Sequence, residues 1–473
     1  MAQLSLNDLE EIGTLFGQKE RVANGVHHPV AAIDSRKISG GEIFFALKGE
    51  HTDGHAFVQT AFENGAALAV VSTEWFENTR QAQPNAHFFT ENLFLSVQDP
   101  LVALQKLANR YRKKFPIPIV TIAGSNGKTT TKEMTAAVLG TTFRVVATEG
   151  NFNNHIGVPL TLFRLRDDTE IAVVEMGINH HGEMNELCQI AEPTHGLITN
   201  IGHEHCEFLG TPEEIAMAEG ELYRYLSRTG GSGFVNADDG LASQTAGELN
   251  LQTLYGIEQP NLGLNIWAKE VQLNQQGCAS FKICTPKQAL TLNLQISGRH
   301  NVYNALAAAA IGLNFGAKLE SVKLALEHFV PKSGSKRMER ICAAGLTILN
   351  DSYNANPESM RSALGTLASL ICDGKKIVLL GDMLELGSVS ETEHRKLGEF
   401  IEAAGIDLFF GFGNAMKWTC QEAPNKCKGH FNTKSEMVQA LKEVAAPGDA
   451  LLFKGSRGMK MEEVLEALLA SIQ

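Results

Sequence analysis

The sequence predicts an α/β protein of three domains: an N-terminal α/β domain, a central domain on a mostly parallel sheet, and a C-terminal Rossmann-like domain. Three observations predict it. A chain of 473 residues is too long for one ordinary core, and its length suits two to four domains. Short apolar runs of strand length alternate with helix-like stretches, the pattern of sheets wrapped by helices. One such run, residues 119–123 (Ile-Val-Thr-Ile-Ala), passes into a glycine-rich loop and then a helix, as a doubly wound core begins.

The first segment, residues 1–97, mixes β-like runs at 43–47 and 67–71 with polar loops and a helix over 56–65 that Gly65 stops. The second, 98–331, opens on a helix over 100–115, with Leu101, Leu104, Leu107 and Ala108 on one face and Pro116 and Pro118 beyond its end. Strands follow at 119–123, 171–175 and 196–200. The third, 332–473, carries apolar runs at 347–351, 376–381, 408–411 and 450–454, again strands of a doubly wound sheet. Ligands of such sheets bind beyond the carboxyl ends of the strands, where each of these runs meets its polar residues.

A formal net charge of -12, with no basic run, argues against nucleic acid as a partner. Eight scattered cysteines without a CxxC pair suggest reduced thiols and a cytoplasmic protein. The first residues lack the basic and apolar regions of a signal peptide, and no stretch is long and apolar enough to span a bilayer, so no membrane role is expected.

The strongest chemical signal is the loop Gly124-Ser-Asn-Gly-Lys-Thr-Thr130. Gly124 and Gly127 allow close backbone approach to a nucleoside triphosphate, and the helix opening near Lys128 offers free N–H groups and a positive dipole end. Lys128 suits the β- and γ-phosphates and Thr129 a Mg²⁺ ion, with Ser125, Asn126 and Thr130 completing the ATP loop. The match to GxxxxGK[ST] is incomplete, since Ile122 stands at the first glycine; the alternative is a plain glycine-rich turn. Glu175 ends an apolar strand facing the crevice and is a candidate Mg²⁺ ligand, or else a solvated carboxylate. The run Asn200-Ile-Gly-His-Glu-His-Cys-Glu207 fits no common zinc spacing; His203 reads as an ordinary loop residue.

Several motifs together resemble the Mur ligases over essentially the whole chain. They are Asp34-Ser-Arg36, residues 45–50 (FALKGE), Asp53-Gly-His55, the phosphate loop, residues 151–160 (NFNNHIGVPL), Glu175-Met-Gly177 and residues 200–205. Later come residues 298–305 (GRHNVYNA), 351–357 (DSYNANP), 380–387 (LGDMLELG) and 454–460 (KGSRGMK). The resemblance implies a monomeric, cytoplasmic ATP- and Mg²⁺-dependent ligase of cell-wall peptidoglycan precursors. The motifs at 354–357 and 454–460 are similar to those of members that add D-alanyl-D-alanine to a UDP-N-acetylmuramoyl-tripeptide. Alternatives are a member adding one amino acid, a folylpolyglutamate synthase, or a non-catalytic UDP-sugar-binding scaffold.

The resemblance further implies roles. Ser35, Arg36, Lys48, Asp53, Gly54 and His55 would hold the UDP-sugar in the first domain. Asn151, Asn153 and Asn154 would place the muramoyl peptide, and Lys128, Glu175 and His205 would serve catalysis, Glu175 and His205 as metal ligands with Thr129. Asn304 would contact adenine and Arg337 the nucleotide, while Asp351 and Tyr353 would close over the ribose. Asn354, Asn356 and Ser456 would grip the dipeptide. One position departs: where many Mur ligases carry a lysine that becomes carbamylated, this chain has Glu219, expected either to supply that carboxylate itself or to be a solvated helix residue.

Overall fold

The computed structural model describes residues 3–22, 24–27, 31–82, 87–258, 263–332 and 334–472. The chain forms three domains, each centred on one large sheet. The N-terminal sheet has the order Thr14–Gly17, Leu93–Val97, Leu68–Ser72, Ile43–Phe45, Ala31–Ala32, antiparallel only at the first pair. Phe16 and Phe76 stack at 4.5 Å, and Phe89 and Phe94 pack against Phe76. The helix expected over 56–65 is a 3₁₀ turn, Gly54–Phe57, running into Val58–Glu63, and Gly65 beyond it has a φ of 95°.

The central sheet has nine strands, in the order Ala289–Ser297, Cys278–Cys284, Ile266–Leu273, Gln252–Ile257, Ser232–Asn236, His195–Ile198, Ile119–Ala123, Ile171–Glu175, Val145–Ala147. Its first two pairings are antiparallel and the rest parallel. The strand Ile119–Ala123 is buried on both faces, which is why it reads as an unbroken apolar run. Val120 and Ile122 pack with Met134, Val138 and Leu306 on one side; Ile119 and Ala123 pack with Leu104, Leu107 and Leu187 on the other. The antiparallel extension over 278–297 is an addition to the strands expected from sequence. Its last strand buries Leu292, Leu294 and Ile296 and exposes Thr291, Asn293 and Gln295, a period of two.

The C-terminal sheet has six strands, in the order Glu339–Ala343, Leu346–Asp351, Ala450–Lys454, Lys376–Gly381, Leu408–Phe412, Cys427–Phe431, antiparallel only at the first pair. Helices Pro357–Ser369 and Ser390–Ala403 cover one face; Lys434–Lys442 and Glu462–Ile472 cover the other. Loops beyond the strand ends of the central and C-terminal domains meet: Asn356 Nδ2 donates to Asn126 Oδ1 at 2.9 Å, and His203 Nδ1 lies 2.7 Å from Glu358 Oε1. Among the described residues, no helix is long and apolar enough to cross a membrane.

Candidate active site

The glycine-rich loop has a geometry that only its sequence permits. Gly124 has a φ of 107°, and a Cβ there would lie 2.5 Å from Thr199 Oγ1. Gly127 has a φ of 83°, and a Cβ would meet Asn304 Oδ1 at 2.6 Å. The loop is clasped by the segment after strand His195–Ile198: Ser125 N donates to Asn200 O (2.9 Å), Asn126 N to Asn200 Oδ1 (3.1 Å), and Gly202 N to Ser125 Oγ (2.8 Å). Helix Lys128–Leu139 starts directly at Gly127 with no side chain capping it, so the first-turn N–H groups of Lys128, Thr129 and Thr130 face the loop. That is the physical form of an anion site. Ile122, at the position of the missing glycine, is fully buried within the strand.

Lys128 Nζ donates to Gly124 O, to Ser125 O (3.2 Å) and to Glu204 Oε2 (3.2 Å). Burial works against its charge, but Glu204, Glu219 and Glu175 face it and raise its pKa. Glu175 ends its strand buried, accepting from Thr129 Oγ1 (3.1 Å) and Asn153 Nδ2 (2.9 Å) through Oε1. Its Oε2 has no hydrogen-bond partner and lies 3.8 Å from Lys132 Nζ. Glu219, at the end of helix Pro212–Glu219, is fully buried, which corrects the reading of a solvated residue. Its Oε2 accepts from Gly124 N at 3.1 Å and its Oε1 has no partner; burial, with Glu204 adding, pushes its pKa up to about 8.

Two residues here were missed from sequence. Glu204 pairs with Lys128, and burial raises its pKa against the pull of that lysine and His205. Lys132 is buried one turn after Lys128 and donates to Thr148 O (2.9 Å) and Gly150 O (3.4 Å), tying the helix to the stretch before Asn151; burial lowers its pKa. Its spacing of four from Lys128 was the available signal. His205, with a φ of 51°, turns to the C-terminal domain, its Nδ1 2.5 Å from Glu385 Oε2. His203 is not an ordinary loop residue, since its ring and backbone N–H both bind Glu358. Among the described residues no three His, Cys, Asp or Glu side chains converge as a metal cage.

The other candidates separate into three groups. Asn304 is buried beneath the loop, accepting from Thr131 Oγ1 (3.0 Å) and donating to Asn301 Oδ1 (2.8 Å). Asn154 Oδ1 accepts from the N–H groups of Ile156 (3.1 Å) and Gly157 (3.0 Å), while Asn151 is exposed. In the C-terminal domain, Asp351 Oδ2 receives Lys454 Nζ at 2.6 Å, and Tyr353 carries Arg337 over its ring at 3.9 Å and Arg457 at 5.5 Å. Asn354 Oδ1 accepts from Arg457 N (3.3 Å), Ser456 Oγ accepts from Leu384 N (2.8 Å), and Asn356 caps helix Pro357–Ser369. In the N-terminal set, Ser35 and Arg36 lie on the turn after Ala31–Ala32, and Lys48, Asp53, Gly54 and His55 along the turn after strand Ile43–Phe45. Lys48 and Asp53 bridge there, and a Cβ on Gly54 would lie 2.7 Å from Leu47 N. Ser72 N donates to His55 Nε2 (2.9 Å), so His55 Nδ1 carries the proton toward Asp53 Oδ1 at 2.6 Å. Ser35 is buried, and exposed Arg36 pairs with Asp34.

Comparison with known proteins gives three family matches along the chain: Mur ligase family, catalytic domain, over residues 30–112; Mur ligase middle domain over 122–312; and Mur ligase, glutamate ligase domain, over 336–457. A UDP-N-acetylmuramoyl-tripeptide–D-alanyl-D-alanine ligase of Bacillus subtilis is 39% identical, with 93% of each chain covered. The protein of the same name from Escherichia coli is 35% identical, with 92% of each covered. Among solved structures, MurF from Acinetobacter baumannii matches with a TM-score of 0.83 at 29% identity, covering 99% of both chains. MurF from Thermotoga maritima in complex with ADP matches with a TM-score of 0.79 at 25% identity, covering 94% of this chain and 98% of that one.

Proposed function

The chain belongs to the Mur ligase family, whose members are ATP-dependent ligases, and from that premise we propose that it joins D-alanyl-D-alanine to UDP-N-acetylmuramoyl-tripeptide in peptidoglycan precursor synthesis. One geometric observation carries the reading: Asn356, within the Asn-Ala-Asn-Pro motif, donates to Asn126 of the phosphate loop at 2.9 Å. A dipeptide held by that motif would lie against the ATP phosphates. The tripeptide carboxylate attacks the γ-phosphorus and ADP leaves, giving an acyl phosphate. The dipeptide amine then attacks the acyl carbon, and phosphate leaves as the amine loses its proton.

Each group has a task in this scheme. Lys128 and the free N–H groups of the following helix neutralise phosphate charge. Asn304 and Arg337 serve the nucleotide, and Asp351 and Tyr353 its ribose. The N-terminal domain holds the UDP-sugar through Ser35, Arg36, Lys48, Asp53, Gly54 and His55; Asn151, Asn153 and Asn154 place the peptide. Asn354, Asn356 and Ser456 hold the dipeptide, and closure of the C-terminal domain keeps water from the acyl phosphate.

Mg²⁺ fits the donors available. Glu175 Oε2 and Glu219 Oε1 are buried carboxylate oxygens without a hydrogen-bond partner, the hard donors that this ion takes. Thr129 and Glu175 would hold one ion, with His205 and Glu219 supporting a second, phosphate oxygens and water supplying the remaining ligands. Bound there, the ion would neutralise charge on the transferring phosphoryl group. We read the enzyme as a monomer of the cytoplasm.

The test is phosphate release from ATP and Mg²⁺ with UDP-N-acetylmuramoyl-tripeptide, adding D-alanyl-D-alanine or single amino acids in turn. Release that requires the dipeptide is the expected result. Release with a single amino acid would reassign the substrate, and no release with any pair would overturn the ligase reading.

A further inference from the structure

Lys128 has three N–H donors, and all three are engaged, by Gly124 O, Ser125 O and Glu204 Oε2. Two of these acceptors are carbonyls of the loop itself and move only if the loop unwinds. Glu204 is the charged one, and both side chains are largely withdrawn from water, 15% and 11% exposed. A phosphate oxygen reaching Lys128 would therefore confront a carboxylate of like charge where solvent screens poorly. Glu175 and Glu219 act on the same lysine more weakly, and Glu175 is shared with Lys132 at 3.8 Å, so Glu204 is the carboxylate in direct contact with Lys128.

We propose that Glu204 is a counter-ion occupying the phosphate position on Lys128, which ATP must displace, so that this side chain sets the nucleotide affinity of the loop. The proposal rests on the reading of Lys128 as the phosphate-binding lysine. The setting of Glu204 ties the displacement to the C-terminal domain. Its two neighbours in sequence are both anchored there, His203 to Glu358 at 2.7 Å and His205 to Glu385 at 2.5 Å. Glu207 N also donates to Glu385 O at 2.9 Å, and His205 and Glu385 both hold left-handed backbone, with φ of 51° and 62°. Such strained positions persist only where surrounding contacts hold them. The backbone that carries Glu204 is thus held by the C-terminal domain, and the carboxylate leaves Lys128 by side-chain rotation.

The experiment is calorimetric titration of the full-length enzyme with ATP, ADP and AMP, without divalent metal. The variants are Glu204→Gln, which keeps shape and an acceptor oxygen, Glu204→Ala, and Lys128→Ala. Glu204→Gln and Glu204→Ala are expected to bind ATP and ADP roughly tenfold more tightly than the parent, with AMP unchanged because it lacks the phosphates that reach Lys128. Unchanged or weaker ATP binding in the folded Glu204 variants, or an equal gain for AMP, overturns the proposal. Parent-like ATP affinity in Lys128→Ala would instead remove the phosphate-lysine reading beneath it. Loss of ATP binding there, without a gain in Glu204→Gln, would sink the counter-ion alone.

Discussion

Glu219 is a carboxyl group whose surroundings favour its neutral form: it is fully buried, one oxygen takes Gly124 N–H, and the other has no partner. A cation at that second oxygen would reverse the preference. On that reading Glu219 does the work of a carbamylated lysine without CO₂ chemistry. Activity should then be the same in bicarbonate-depleted and bicarbonate-supplemented buffer, and Glu219→Ala should lose at least tenfold in kcat. Normal turnover in Glu219→Ala would remove Glu219 from the site. A second residue, His195, titrates far from the chemistry. Its ring packs tilted against Phe315 at 4.7 Å and stacks on Phe234 at 6.2 Å, and burial lowers its pKa from the ordinary 6.5 to about 4. Its folded pKa is depressed, so the folded chain binds this proton less readily than the unfolded one. The stability it contributes is complete above pH 6.5 and is lost as pH falls toward 4. His195→Phe should therefore lose less melting temperature than the parent between pH 6.5 and 4, and parallel curves would contradict this. Glu204 and Lys132 were harder to read than either, because nothing local marks them. Glu204 acquires its partner only when residues 200–205 fold back onto the phosphate loop, 76 positions away in sequence.

At the scale of elements, strands buried on both faces were legible and edge elements were not. The runs at 119–123, 171–175, 376–381 and 450–454 coincide with strands because a parallel strand under two helix layers must be apolar throughout. The antiparallel strand Ala289–Ser297 buries alternate residues from Leu292 to Ile296, so its apolar content is diluted and the signal is an alternation; Cys278–Cys284 is interrupted by Ser280 and Lys282. Helix Pro357–Ser369 shows a different limit. Its Asn-Ala-Asn-Pro start reads as a ligand motif, and it is also a capping box: Asn356 Oδ1 accepts from Ser359 N at 2.8 Å, with Pro357 in the first turn. The same side chain donates to Asn126, so cap and domain contact overlap in the residue proposed to hold the dipeptide. Asn356→Asp keeps the cap acceptor and removes the amide donor; Asn356→Ala removes both. The alanine variant should lose about 1 kcal/mol of stability in denaturant titration and the aspartate variant little of it. Both should raise KM for D-alanyl-D-alanine if the amide grips the dipeptide. A KM that stays at the parent value in the aspartate variant would confine Asn356 to a structural role.

At the scale of the molecule, three domains were legible from three clusters of strand runs, but their mutual placement was not, because it depends on residues distant in sequence and short of any pattern. Two histidine–glutamate contacts span the central and C-terminal domains, His203 with Glu358 and His205 with Glu385, beside the Asn126–Asn356 hydrogen bond. Gly387 comes so close to Glu207 that a Cβ would lie 3.2 Å from its Cα, so the surfaces interlock as well as attract. Each contact is partly open to solvent, and such pairs, even when charged, contribute on the order of 1 kcal/mol or less to stability. Between an open and a closed arrangement that amount is not small: a change of about 1 kcal/mol shifts the two populations roughly five-fold. His203→Ala should accordingly leave the melting temperature almost unchanged, because both domain cores remain intact. It should increase the radius of gyration measured by small-angle scattering in the absence of substrates, and the increase should shrink when ATP and UDP-N-acetylmuramoyl-tripeptide are added. Raising the ionic strength of the parent protein should move its scattering in the same direction, since screening weakens partly exposed pairs. If neither the variant nor the salt changes the scattering, the two histidines do not hold the domains together, and closure must rest on other contacts, the Asn126–Asn356 hydrogen bond and the interlocking backbone around Glu207 and Gly387 among them.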